Sequence, residues 1–413
     1  MYKGVAAVPP LLMVDDILTV SKCNSTSSAM NSTVNSFIES KKLRLSHDKC
    51  SAIHVGKKTG NCPELNIHMK TMHREVETKY LGDIIHSNGK SKPNILARSA
   101  KAYAILSEIR AILSDVPLGK YKTEVGLLLR QSMFINGVLF NCESWQGLCS
   151  TDITLLEKVD HQVMKVICDG HSKTPTEFLY LETGATPLKD IVASRRIMYL
   201  HNILNRDKEE LVRRIYETQK QNPTKGDFIE LVKEDMLKIG ETFDEDYISH
   251  ERRDLFKAKI KKKIRSLAFR ELTLKQMEHS KVREIKYPEF KIQPYMTSCL
   301  FTNSMVSTLF NMRSSMTQNI KNNFSSMFQN DMRCKLKCLP EAIDCQAHLL
   351  RCPTVLEELE PAELEASQGV QYSDIFGSLE QQRKVVLSLM RVMEIRTKLL
   401  EKESLPVGDH TGP

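Results

Sequence analysis

Long apolar runs are missing from this 413-residue sequence. The one nearest the N-terminus, LLMVDDILTV at 11–20, is broken by Asp15 and Asp16. A secretory signal needs an unbroken apolar core of about 7–15 residues, so none is read there. The most apolar later stretch, VGLLLRQSMFINGVLF at 125–140, carries Arg130, Gln131 and Asn136. A membrane span needs about 20 mostly apolar residues, so this stretch reads as a buried helix and no membrane partner is expected. The eleven cysteines are scattered and show no disulfide framework. That argues for a reducing, intracellular setting, with nucleus and cytoplasm both open. Tryptophan is nearly absent, with Trp145 alone. A strong charge of either sign is missing too. The net charge is +8 and the pI about 8.8, which suits a nucleic-acid partner or an ordinary basic protein equally.

What is present needs explaining, beginning with the two carboxylates. Burying charge in an apolar run is expensive. Apolar residues on both sides, no helix cap and a β-favouring tail suggest a strand, a tight turn at Val14–Asp16 and a second strand. Like charges this close repel unless a cation holds them. Oxygen ligands suit Mg²⁺, and two such ions can clamp the attacking and leaving oxygens of a phosphoryl transfer. A surface turn or helix cap is the plainer alternative. Next, 31–56 reads as a helix with Val34, Phe37 and Ile38 on its apolar stripe, then a strand in which Leu43 and Leu45 alternate with Arg44 and SAIHVG is strand-like. TKYLGDIIHSNGK at 78–90 reads as a short hairpin with Gly82, and a turn at Asn88-Gly89.

MVDDI at 13–17, LRLSHDKCSAIHVG at 43–56 and KYLGDIIHSNGK at 79–90, in that order, resemble the reverse transcriptase of non-LTR retrotransposons. The resemblance implies a palm Asp-Asp turn in which Asp15 and Asp16 hold Mg²⁺ for DNA synthesis on an RNA template. It implies that Lys49 acts on the leaving pyrophosphate, and that Tyr80, Leu81 and Gly82 form a primer-grip-like turn leading into a thumb. The sequence departs from the family before Asp15. Fingers, an earlier palm Asp and the nucleotide-binding loops belong there, and only MYKGVAAVPPLLMV precedes the turn. The chain is therefore expected to be inactive alone and to need the missing N-terminal polymerase segment as a partner.

Beyond the palm-like part, 93–119 reads as a helix. Ile95, Ala102, Ile105, Leu106, Ile109 and Leu113 form its apolar stripe, with Arg98, Lys101 and Arg110 off it. Pro117-Leu118-Gly119 ends it. A second long helix over 119–147 and further helices to 205 complete a thumb-like bundle. The stretch 251–286 holds thirteen Lys and Arg against five Asp and Glu. Phe256, Ile260, Ile264 and Leu267 fall on one face, so Lys257, Lys259, Lys261, Lys262, Lys263 and Arg265 are candidates for RNA and DNA phosphate contacts. A solvated face and an anionic membrane surface compete with that reading.

Cys334, Cys338, His348 and Cys352 read as C-x3-C-x9-H-x3-C, a donor set suited to a structural Zn²⁺. His348 and Cys352, four apart, are expected on one helix face. CQAHLLRC resembles the end of the cysteine-histidine motif that non-LTR elements carry after the thumb. The three-residue first spacing departs from it, and Cys345 can replace one of the first two thiolates. Buried cysteines without metal are the alternative. A helix near 374–403 packs on the bundle or on another chain, and the tail SLPVGDHTGP is expected to be disordered.

The expected fold is α+β. An incomplete reverse-transcriptase palm (1–92) precedes a thumb-like helical bundle (93–205) and a charged helical extension (206–290). A zinc-binding segment (291–360) and a C-terminal helix with tail (361–413) follow. The expected function is that of a truncated RNA-directed DNA polymerase. The alternatives are a non-catalytic nucleic-acid-binding product of a decayed element and a helical interaction scaffold. Oligomeric state is not legible.

Overall fold

The computed structural model describes residues 11–13, 16–21, 23–56, 66–67, 70–115, 121–148, 150–317 and 333–404. Asp15, the 117–119 helix stop and the 405–413 tail lie outside the described residues. The strands come early and are short. β1 (Leu11–Met13) and β2 (Asp16–Leu18) pair antiparallel, with Met13 opposite Asp16. After α1 (Asn24–Ser40), a 3₁₀ turn at His47–Lys49 leads into β3 (Ser51–Ile53). β4 (Asn66–Ile67) pairs with β5 (Lys70–Thr71), and β6 (His73–Glu75) runs parallel to β3. β7 (Glu77–Tyr80) and β8 (Asp83–His86) form a hairpin. Each pairing is a separate two-stranded sheet, and no continuous palm sheet is among them. β-favouring residues come three or four at a time with no fully buried face, so the ladders stay short. Leu43 and Leu45, read as part of a strand, make no ladder among the described residues.

Helices dominate the rest. α2 (Lys92–Asp115) and α3 (Lys122–Leu129) are followed by a π turn at Arg130–Ile135 and the single turn α4 (Asn136–Val138). Next come α5 (Ser150–Cys168), α6 (Thr176–Thr183), α7 (Leu188–Leu204) and α8 (Leu211–Gln221). α9 (Phe228–Lys238), α10 (Glu245–His250) and α11 (Arg253–Gln276) lead to the short α12 (Pro294–Thr297) and to α13 (Asn303–Arg313). The last four are α14 (Gln346–Leu349), α15 (Pro353–Leu356), α16 (Pro361–Ser367) and α17 (Leu379–Ser404). Caps set several starts. Asp227 accepts from Glu230 N–H, Asp244 from Tyr247 N–H and Thr302 from Met305 N–H, each satisfying a donor that the helix leaves open.

The chain divides into two compact units. The first comprises Met1–Ala104, Ile135–Val159 and Leu188–Leu267. Its main core is built by α7 to α11. Ile197, Leu200 and Ile203 meet Val232, Met236 and Ile248, with Phe256, Ile260 and Ile264 from α11. Full burial of side chains this size stabilises by about 1.5–3 kcal/mol each. Arg196 and Asp235 form a buried ion pair at that core, 2.5 Å apart.

The second unit comprises Ile105–Phe134, Asp160–Pro187 and Ala268–Pro413. Two of its buried ion pairs meet side chains of α6. Arg130, at the start of the π turn, grips Asp160 through Nε and NH2 at 2.7 and 2.6 Å, and Tyr180 OH donates to the same carboxylate. The second long helix of the sequence reading thus changes to a π turn where its arginine meets a buried partner. Glu182, fully buried on α6, accepts from Arg313 of α13 and from the hydroxyls of Tyr287 and Tyr295. Arg313 also donates to the Ile375 carbonyl at 2.8 Å. Gly184 closes α6 in the left-handed region, φ 61°. A Cβ there would lie 2.6 Å from the Lys291 backbone, so only glycine fits. α17 buries Val385, Val386, Leu389, Val392 and Ile395. It packs within its own unit on α12 to α16 and on the 3₁₀ turn Tyr372–Phe376.

Candidate metal centre and nucleic-acid face

The four Cys/His residues picked from spacing come together. Cys334 Sγ, Cys338 Sγ, a His348 ring nitrogen and Cys352 Sγ all lie within 4.8 Å of one another. Among the described residues this is the one group of three or more such ligands gathered within reach of a single ion. Local backbone explains the convergence. Cys334 N–H donates to Ala342 O, Lys337 N–H donates back to Cys334 O, and Lys337 takes φ 50°. That tight knuckle turns Cys338 toward Cys334. Cys345 begins α14 as its cap, its Sγ accepting from His348 N–H at 3.4 Å, and that single turn presents the imidazole. Cys352 caps α15 just before Pro353. His348 and Cys352 therefore sit on two successive turns. The single helix face expected from their spacing does not form, because α14 stops at Leu349. Cys345 is used as a cap and lies outside the cluster.

The distances fit a tetrahedral ion. Around zinc, with Zn–S bonds of about 2.3 Å, ligand atoms stand about 3.8 Å apart. Cys334 and Cys352 sulfurs are 3.9 Å apart, and Cys338 Sγ is 3.2 Å from His348 Nε2. Burial pushes the Cys352 thiol up to about 12, and the neighbouring Cys334 and Cys338 sulfurs add to it. Burial also raises Cys338 and lowers His348, which favours the neutral imidazole that a metal needs. A divalent cation reverses the balance for the sulfurs by compensating thiolate charge. The four residues can hold a zinc-like ion.

The palm-like residues are not assembled in the same way. Asp16 is exposed on β2. Lys49 is exposed in the 3₁₀ turn before β3. No described geometry gathers a magnesium site around them. The Tyr80–Gly82 turn is more elaborate. Leu81 and Gly82 take φ 48° and 85° between the paired Tyr80 and Asp83, so this two-residue hairpin has both central residues at positive φ. Leu81 has no glycine excuse for that conformation. What holds it is Asp83, which accepts from Asn94, Arg98 and Asn141, while Arg98 also donates to the Gly82 carbonyl. Arg98, expected among the cations off the apolar stripe, is buried in this task. A cleft of about 500 Å³ beside the hairpin is lined by Tyr80, Leu81, Phe140 and Asn141 among others.

On α11 the apolar face is as read, with Phe256, Ile260, Ile264 and Leu267 buried. The cations divide. Lys259 and Lys263 both pair with Glu241, and Lys259 also lies 4.8 Å over the Tyr247 ring. Arg265 is half-buried. Lys257, Lys261 and Lys262 are exposed. Sequence reasoning missed Glu241 because it lies in the connection after α9, while its partners, 18 and 22 residues on, belong to α11.

No family model matches this chain. Neither does any curated protein or solved structure. Among the described residues no helix is long and apolar enough to cross a membrane.

Proposed function

We propose that this chain binds nucleic acid as part of a non-LTR retrotransposon reverse transcriptase, with a structural zinc fastening its C-terminal segment. The observation that carries this reading is the convergence of Cys334, Cys338, His348 and Cys352 to within 4.8 Å. The motif order in the sequence, MVDDI, KYLGDIIHSNGK and then CQAHLLRC, supports the family assignment. Zinc bound there cross-links the Cys334–Cys338 turn to the single turns α14 and α15. The exposed Lys257, Lys261 and Lys262 offer phosphate contacts without base readout. Asp15, Asp16 and Lys49 serve phosphoryl transfer with Mg²⁺ only alongside a further palm carboxylate, which the family carries on an earlier strand.

The test has two arms. Fluorescence anisotropy with single-stranded RNA should show binding that weakens steeply as salt rises. Failure to bind RNA at about 50 mM salt, a concentration at which phosphate contacts are strong, would leave the helical scaffold as the better reading. Mg²⁺-dependent primer extension then separates a polymerase part from a purely nucleic-acid-binding protein.

A further inference from the structure

Asp344 is fully buried and lies four residues before the ligand His348. Its two oxygens accept from Arg396 NH2 of α17 at 2.7 and 2.8 Å. Arg396 is itself buried, and its Nε and NH1 find no hydrogen-bond partner among the described residues. One carboxylate from the ligand loop thus stabilises a cation set deep in the last helix. Gln346 adds a second tie, contacting Thr317 and Tyr372. α14 and α15 are single turns of four residues each, too short to persist alone, and both pack on α17.

We propose that metal ligation and the seating of α17 are one cooperative unit, coupled through the Asp344–Arg396 pair, so that loss of metal uncovers the apolar face of the last helix. This rests on the zinc reading above. The physical reason is an asymmetry. A buried ion pair adds little by itself, but removing one partner leaves an uncompensated charge in a dry site. If the ligand loop withdraws, Arg396 loses the carboxylate that holds it. The helix must then move until the guanidinium reaches water, which exposes Val385, Val386, Leu389 and Val392. In the other direction, α17 fixes Asp344 and through it the start of α14, which orients His348. Arg396 is a positioning residue for the metal centre.

The experiment uses the full chain. Zinc is stripped with a chelator, its removal checked by elemental analysis, and amide hydrogen exchange followed by mass spectrometry. Residues 333–356 and 379–404 should lose protection together by about tenfold or more, while α8 and α9 in the other unit keep theirs. In the zinc-loaded chain, Arg396→Leu should weaken zinc affinity by about 10–100-fold, the usual effect of removing a group that orients ligands. Arg396→Lys, which keeps a cation for Asp344, should recover part of it. If zinc is bound and its removal leaves α17 protection unchanged, the coupling is wrong and the metal site stands. If the chain takes up no zinc, or keeps it in Cys352→Ser, the metal reading itself fails and the coupling with it. Should Arg396→Leu not fold, the stripped wild-type chain still decides.

Discussion

Replacing Lys257, Lys261 and Lys262 together by Gln should flatten the salt dependence of RNA binding without unfolding the helix. These three are the exposed cations of the 257–265 stretch, whereas Lys259 and Lys263 are drawn onto Glu241. Each phosphate neutralised on a single strand adds about 0.7 to the slope of log affinity against log salt. Three lost contacts therefore reduce the slope by about 2. Between 50 and 200 mM salt, a slope change of that size alters the affinity drop by about 20-fold. Anisotropy titrations of a labelled single-stranded RNA at several salt concentrations measure it directly. Ile260 and Ile264 remain buried in the variant, so its far-UV dichroism should match the wild type. The companion variant Lys259→Gln/Lys263→Gln should change stability more than slope. The reasoning is refuted if the triple variant is folded and keeps the full slope while the double variant loses it.

Other outcomes are as specific. The purified chain should carry about one zinc, lost in Cys352→Ser by elemental analysis. Glu182→Gln or Arg313→Leu should each cost about 3–5 kcal/mol in urea unfolding, because either leaves a buried partner uncompensated. Burial raises the Glu241 carboxyl, but hydrogen bonds from Lys259 and Lys263 outweigh it and hold the group below its ordinary 4.5. A depressed carboxyl stabilises the fold above that value and loses the contribution as pH falls through its folded pKa. Glu241→Gln should therefore remove part of the stability lost on acidification below about pH 4.5, seen as a shallower pH dependence of the melting temperature. Leu81→Gly should raise stability by up to about 1 kcal/mol, since the side chain is 45% exposed and its backbone is left-handed. An unchanged or lower unfolding midpoint would mean that Leu81 contacts outweigh its strain.

Periodic features were the legible part of the sequence. All six residues of the α2 stripe, Ile95 through Leu113, are buried, as are the four on α11. Periodicity reads them because one helix fixes which positions share a face. The Cys/His set was legible for a similar reason, since its donors lie close along the chain. Arg98 was misplaced because its partners, Gly82, Asp83 and Gly137, come from a hairpin and a helix end that no spacing rule joins to α2. The Asp344–Arg396 pair, 52 positions apart, was invisible for the same reason. Strand length was over-read at Leu43–Leu45, where alternation exists but no strand among the described residues completes a ladder.

The Glu182 cluster bears on how the chain is born. Its cation, Arg313, is 131 positions further along, and Tyr287 and Tyr295 are 105 and 113. The second unit is assembled from three separated stretches, the last beginning at Ala268. At ribosomal speeds of about 5–20 residues per second, α6 emerges about 7–26 s before its arginine does. Throughout that interval Glu182 lacks Arg313, the cation it pairs with in the finished fold. The surrounding apolar surface of α5 and α6 must stay open to solvent or to a chaperone. Synonymous codon changes that slow synthesis between 183 and 313 should therefore lower the soluble yield without altering a single residue of the protein.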